Sequence, residues 1–268
     1  MLNAIYEDSQ GNFWLGTAQG LILFDRATGT QQPPLQNDPQ DPTSLSGNFV
    51  SRSLEDTQGN LWIGTLNGGL NLMDRESRRF RRFAKDPSDP TTLSSNVILD
   101  IYQAQDETLW IGTTGGLDKS VPASRTFISY REKNGLPNDY VYGILEDADG
   151  HLWLSTNKGL ARFDSKALAF ENYDRADGLQ GSEFNQWAYF ENREGVMFFG
   201  GVNGINAFYP GLIEDNPFVP PVVLTDFEIY GQPVPIGPDS PLQQPVERTT
   251  AIQLEPTDDF FEFAFSAL

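Results

Sequence analysis

One short phrase occurs five times in this chain, and it limits the folds available more than any other feature. Trp14-Leu-Gly-Thr17, Trp62-Ile-Gly-Thr65, Trp110-Ile-Gly-Thr113, Trp153-Leu-Ser-Thr156 and Phe198-Phe-Gly-Gly201 are its copies, 48, 48, 43 and 45 residues apart. A period of that length means one supersecondary unit that buries its apolar face only by stacking on its neighbours. The second copy shows what the unit is. Phe49–Glu55, Leu61–Gly64, Leu70–Met73 and Arg79–Phe83 read as four short strands, with turn chemistry at Asp56-Thr-Gln-Gly-Asn60 and Leu66-Asn-Gly-Gly69. A long polar loop, Asp86–Asn96, closes the repeat, and its prolines block strand pairing. Four strands in about 45 residues make a propeller blade. No 3.6-residue periodicity with caps points to a helix.

The expected fold is therefore all-β: a partial β-propeller of about five four-stranded blades over 1–212, the first copy clipped, followed by a linker at 213–221 and the opening strands of a second all-β unit, an antiparallel sandwich, at 222–268. In that last segment Val222–Tyr230, Ile252–Leu254 and Phe260–Phe265 read as strands. The clipped first copy predicts a piece of a longer protein. Met1 runs into Leu-Asn-Ala-Ile-Tyr with no charged and apolar leader, so no signal peptide is expected, and no apolar run is long enough to span a bilayer.

The residues also match a family. Ile5-Tyr-Glu-Asp-Ser-Gln-Gly-Asn-Phe-Trp-Leu-Gly-Thr17, with Gly20-Leu21 and Phe24-Asp25 behind it, resembles the two-component regulator propeller repeat. Glu183-Phe-Asn185 and Phe199–Phe208 with Pro210 are similar to the last blade of such sensors, and Pro220–Tyr230 to the start of the triple-tyrosine (Y_Y_Y) immunoglobulin-like domain. The resemblance implies the periplasmic sensor region of a membrane-bound protein whose output module is a histidine kinase, often a hybrid one, or a diguanylate cyclase. It implies an oligosaccharide or other small-molecule ligand, a homodimer in the full-length parent, and membrane contact only through segments not present here. It also implies more blades than five, and tyrosines beyond Leu268.

Composition removes other functions. With 37 acidic and 18 basic side chains the net charge is −19, which disfavours nucleic acid and anionic membrane surfaces. Without cysteine there are no disulfides, thiolate metal sites or cysteine nucleophiles. His151 is the single histidine, in a turn where other copies carry Asn12, Asn60 and Thr108; no triad, metal centre or cofactor is expected from it. Glu7-Asp8, Glu55-Asp56 and Glu146-Asp147 recur in register, as a turn or cap does and a unique catalytic pair does not. A non-catalytic fragment follows. The alternatives are a propeller glycosidase or lyase, using a non-repeated carboxylate such as Asp100 or Asp139, and a protein-interaction platform.

Ligand contacts are expected where copies differ. In an antiparallel blade the inter-blade loop and the second-to-third-strand turn emerge at one end, and the Asp-Gly turn at the other. Asn67, Asn96, Thr114, Asn138, Asp139, Asn157, Lys158, Asn185 and Asn203 fall at the first end, and amides suit sugar hydroxyls. The repeated Trp residues read as core. Trp187 joins the candidates because Ser51, Leu99 and Tyr142 occupy its place in other copies.

Overall fold

The structure is a computed structural model that describes residues 2–213 and 222–267. Nineteen strands up to Phe208 form five sheets. The first blade is β1 (Leu2–Glu7), β2 (Phe13–Thr17), β3 (Gly20–Asp25) and β4 (Thr30–Gln31); the second is β5 (Val50–Glu55), β6 (Leu61–Thr65), β7 (Gly69–Asp74) and β8 (Arg79–Phe83). The third is β9 (Ile98–Gln103), β10 (Leu109–Thr113), β11 (Gly116–Val121) and β12 (Thr126–Tyr130); the fourth is β13 (Val141–Glu146), β14 (Leu152–Thr156), β15 (Gly159–Asp164) and β16 (Ala169–Tyr173). The fifth has three strands among the described residues, not the four expected: β17 (Phe184–Glu191), β18 (Met197–Gly201) and β19 (Gly204–Phe208). Every sheet is an antiparallel meander, and the first strands β1, β5, β9, β13 and β17 meet one another in sequence.

The core lies between blades. Trp14 and Leu21 pack on Val50, Leu61 and Ile63 of the second blade; Trp62 joins Ile98, Ile111 and Phe127; Trp110 joins Val141, Leu152 and Phe163; Trp153 joins Phe184, Met197 and Phe199. Each anchor tryptophan thus belongs to the layer shared with the next blade. The glycine two residues on has a steric cause. A Cβ at Gly16 would lie 2.7 Å from Val50 Cγ1, and at Gly64 2.6 Å from Ile98 Cγ2. The next inner strand presses on the blade there, and only glycine leaves room. The fourth copy has Ser155 at this place, and the inner strand after it carries the widest bulge.

The anchor threonine closes the following turn. Thr17, Thr65, Thr113 and Thr156 each donate through Oγ1 to the carbonyl of Gly20, Gly69, Gly116 or Gly159, and each accepts a backbone N–H from the turn. Those glycines take positive φ, and a Cβ on them would lie 2.1–2.4 Å from a carbonyl oxygen at or beyond the end of the blade's outermost strand. At Gly204, in the three-stranded blade, a Cβ would meet nothing.

The chain divides into two compact units, Met1–Ile213 and Glu214–Leu268. Of the expected linker only Ile213 is described, and it packs with Trp153 and Phe199; 214–221 lie outside the described residues. The second unit contains β20 (Val222–Ile229), paired with β21 (Gln232–Pro233) on one side and β22 (Phe261–Ala267) on the other. The strand expected at 252–254 is absent. Ile252 and Leu254 instead pack as single side chains on the Phe227–Leu242–Val246 cluster, so burial and not ladder pairing accounts for their alternation.

Candidate ligand site at the long-loop end of the propeller

The two ends of the blades are built differently. At the Asp-Gly end, each repeated aspartate serves its own turn and the anchor. Asp8 Oδ1 accepts Gln10 and Asn12 N–H, and Oδ2 accepts Trp14 Nε1 at 2.9 Å; Asp56 holds Trp62 at 2.8 Å and Asp147 holds Trp153 at 2.9 Å. Burial raises the Asp8 pKa, but bonds from Trp14 and Asn12, with Arg75 nearby, hold it below the usual carboxylate value. The residue before the aspartate reaches back to the preceding blade. Glu55 accepts Ser9 N–H at 2.6 Å, Gln103 accepts Thr57 N–H at 2.8 Å, and Glu146 accepts Gln105 N–H at 2.8 Å. The recurring acidic pair is therefore a turn cap joined to an inter-blade clamp. Asp147, Asp149 and His151 lie within metal-ligand reach of one another, yet Asp147 Oδ2 is already held by Trp153 and faces His151 Nδ1 at 3.3 Å, as the turn requires.

The third copy departs. Ala104 stands in the aspartate's place, no hydrogen bond reaches Trp110 Nε1 among the described residues, and a cavity of about 160 Å³ lined by Ala104, Trp110, Glu146 and Asp149 opens there. Glu107 takes the turn's glycine position at φ 65°.

The other end gathers the inter-blade loops and the second-to-third-strand turns, as the topology dictates. Asn67 lies against Gly47, Ser95 Oγ against Thr114 Oγ1 at 2.9 Å, and Gln180 Oε1 accepts Asn203 N–H. The candidates divide by their occupation. Asn96 Oδ1 accepts Lys85 N–H at 2.7 Å, Asp139 Oδ1 accepts Glu132 N–H, Asn138 Oδ1 accepts Tyr140 N–H, and Asn157 Oδ1 accepts the Tyr142 hydroxyl. These side chains shape loops. Asn67, Lys158, Asn185 and Asn203 are exposed.

Trp187 sits in the feature that separates the fifth blade from the rest. In blades one to four the inner strand has a one-residue register shift near its loop end, at Leu2/Ala4, Val50/Arg52, Ile98/Asp100 and Val141/Gly143. In β17 the break runs from Phe184, opposite Gly201, to Tyr189, opposite Phe199, which inserts three residues instead of one. Trp187 stands inside it at φ 64°, 39% exposed. An aromatic residue in the left-handed region is strained, and such strain gathers at functional sites.

Beside these bulges the inner strands carry a charge pair that sequence reading did not assemble. Opposite the anchor glycine or serine, the copies have Ala4, Arg52, Asp100 and Gly143. Asp100 is wholly buried; its Oδ2 accepts Ile144 N–H at 2.9 Å and its Oδ1 lies 2.9 Å from Arg52 Nε. Burial pushes the Asp100 carboxyl up, against the pull of Arg52 and of the Tyr189 phenol facing it. The Arg52 guanidinium also lies over the Tyr189 ring, 5.6 Å from its centroid, so one side chain of the second blade touches the third and the fifth. The Tyr189 ring fills the space in which Gly143 lacks a side chain. Opposite charges at one register position in adjacent copies were the available signal. Asp100 was singled out only as a non-repeated carboxylate, without its partner.

Comparison with known proteins agrees with this architecture. The model for the two-component regulator propeller matches residues 1–19, 44–67, 92–115 and 135–158. Histidine kinase P4 of Formosa agariphila is 30% identical over 136 residues, half of this chain and 10% of that protein. The extracellular domain of a B. thetaiotaomicron protein assigned as a hybrid two-component system superimposes on 99% of this chain and 35% of its own, at 27% identity and a TM-score of 0.74. A second B. thetaiotaomicron extracellular domain, assigned to a one-component system, shares the fold at 19% identity and a TM-score of 0.56, over 99% of this chain and 46% of its own. The chain thus spans a tenth to under half of these proteins. No helix among the described residues is long and apolar enough to cross a membrane.

Proposed function

The chain carries the repeats of the two-component regulator propeller family, and on that premise we propose that it is the extracytoplasmic ligand-sensing part of a membrane-bound signalling protein. It binds a glycan or another small molecule at the long-loop end of the propeller, without turning it over, in the periplasm. Its parent relays the signal through a histidine kinase or a diguanylate cyclase, as a homodimer. The observation that carries this reading is the division of labour between the two ends. The repeated carboxylates are consumed by caps and clamps at one end. At the other end the copies diverge, and there a strained, exposed tryptophan stands in a bulge three residues wide, where the other described blades have one of a single residue.

The test is calorimetry of the complete sensor region against a panel of oligosaccharides, on wild type and Trp187→Gly. Glycine relieves the positive φ but gives up the half-buried indole and costs backbone entropy, so the opposing effects are expected to leave stability within about 2 kcal/mol of wild type while affinity falls tenfold or more. A stable variant with unchanged affinity removes Trp187 from the site; absence of binding by every glycan overturns the glycan reading.

A further inference from the structure

The floor beneath the bulges points to the chemical class of the ligand. Arg52 sets its Nε 2.9 Å from Asp100 Oδ1 as an ion pair and its guanidinium carbon 5.6 Å from the centre of the Tyr189 ring, yet 39% of its side chain stays exposed. Its two terminal nitrogens make no hydrogen bond among the described residues. A guanidinium held from behind by a buried carboxylate and flanked by a ring is fixed in orientation, and its remaining N–H donors form the planar fork that matches two carboxylate oxygens. The fixing is built into the backbone: Ile144 N–H holds Asp100, and Gly143 leaves room for Tyr189. In a chain of net charge −19, a cation placed with free donors at this spot is the exception. It also lies on the strand position next to the bulges, one of which holds Trp187 two residues before Tyr189.

We propose that Arg52 is a recognition residue for a carboxylate-bearing ligand, with Asp100 and Tyr189 as its positioning residues. The proposal rests on the long-loop end being the binding site, and it narrows the ligand to an acidic one, such as a sugar acid in place of its neutral counterpart.

D-Galacturonate and D-galactose differ only in the carboxylate at C6, so the pair isolates the claim. The wild-type sensor region is treated with phenylglyoxal, which modifies accessible arginine, and Arg52 labelling is followed by peptide mass spectrometry with Arg248 as internal control. Galacturonate is expected to slow labelling of Arg52 at least fivefold, galactose to leave it unchanged, and neither to affect Arg248. In parallel, Arg52→Lys keeps the positive charge but loses the fork, and is expected to bind galacturonate at least tenfold more weakly. Equal labelling of Arg52 in the two sugars overturns the proposal, whatever the fate of the lysine variant. Should neutral glycans from the panel bind while Arg52 remains unprotected by galacturonate, the sensor reading stands and the carboxylate claim falls.

Discussion

Ala104 is the residue at which the repeat shows what its aspartate contributes. In three copies a carboxylate accepts two turn N–H groups and the anchor indole N–H. Hydrogen bonds to a charged group contribute roughly 1.5–3 kcal/mol, and stripping a buried donor of its acceptor costs a similar amount. Ala104→Asp places the missing carboxylate beside Asp106 N–H, Thr108 N–H and Trp110 Nε1. Glu146 and Asp106 stand close and subtract part of the gain. The expected outcome is a net stabilisation of about 1 kcal/mol, read as a higher urea midpoint with an unchanged slope. A lower midpoint would mean that repulsion from Glu146 outweighs the cap. The sequence announces this site plainly, because Ala104 breaks a register kept by Asp8, Asp56 and Asp147. It does not announce the cavity, which depends on how closely the fourth blade approaches.

At the level of elements, the third strand ties three of the five blades to the loop before them, while Ile22 and Ala161 hold the same place in the first and fourth. The residue after the Gly-Leu or Gly-Ile step does this: Asn71 Oδ1 accepts Ser46 N–H, Asn206 Oδ1 accepts Gln180 N–H, and Asp118 Oδ2 accepts Ser94 N–H and Oγ. The third blade thus puts a carboxylate where two others put an amide. Burial pushes Asp118 up to about 6, against the hydrogen bonds from Ser129 and Ser94. A carboxyl raised above its unfolded value of 3.8 holds its proton in the folded chain between those two values and loses it in the unfolded one. Its contribution to stability is therefore present at low pH and is lost as pH rises from about 4 to about 6. Asp118→Asn keeps an acceptor for Ser94 and adds a donor of the kind Asn71 directs at the Ile63 carbonyl. The variant is expected to gain on the order of 1–3 kcal/mol at pH 8 and little at pH 4, measured by urea unfolding across that range. A gain that does not vary with pH would show that Asp118 is not the titrating group. Strand positions in the second blade were legible to within a residue or two, since period-two burial and glycine turns fix them locally. The fourth strand of the last blade and the segment 252–254 were not, because pairing partners, and not local pattern, decide whether an apolar run becomes a strand.

For the molecule as a whole, the repeat made the propeller legible, and the site less so. Amides at the loop end were identifiable as a class, but which of them are consumed by loop hydrogen bonds depends on contacts such as Lys85–Asn96 and Tyr142–Asn157 that no single copy encodes. Charge is the property that belongs to the whole chain. Eighteen basic side chains face 37 acidic ones, and the ion pairs among the described residues are few. Of these, only Arg52–Asp100 and the two Arg75 contacts involve a carboxylate that is nearly buried, and buried pairs are screened least. The remaining acidic excess sits where salt reaches it and repels itself in the folded state more than in the expanded one. Raising NaCl from about 20 to 300 mM shortens the Debye length from about 20 Å to about 6 Å. The unfolding midpoint is accordingly expected to rise by a few degrees, most of it below about 150 mM. Tetramethylammonium chloride should give the same curve, since screening depends on ionic strength and not on the cation. A midpoint that falls with salt would mean that the ion pairs, centred on Arg52 and Arg75, outweigh the net repulsion.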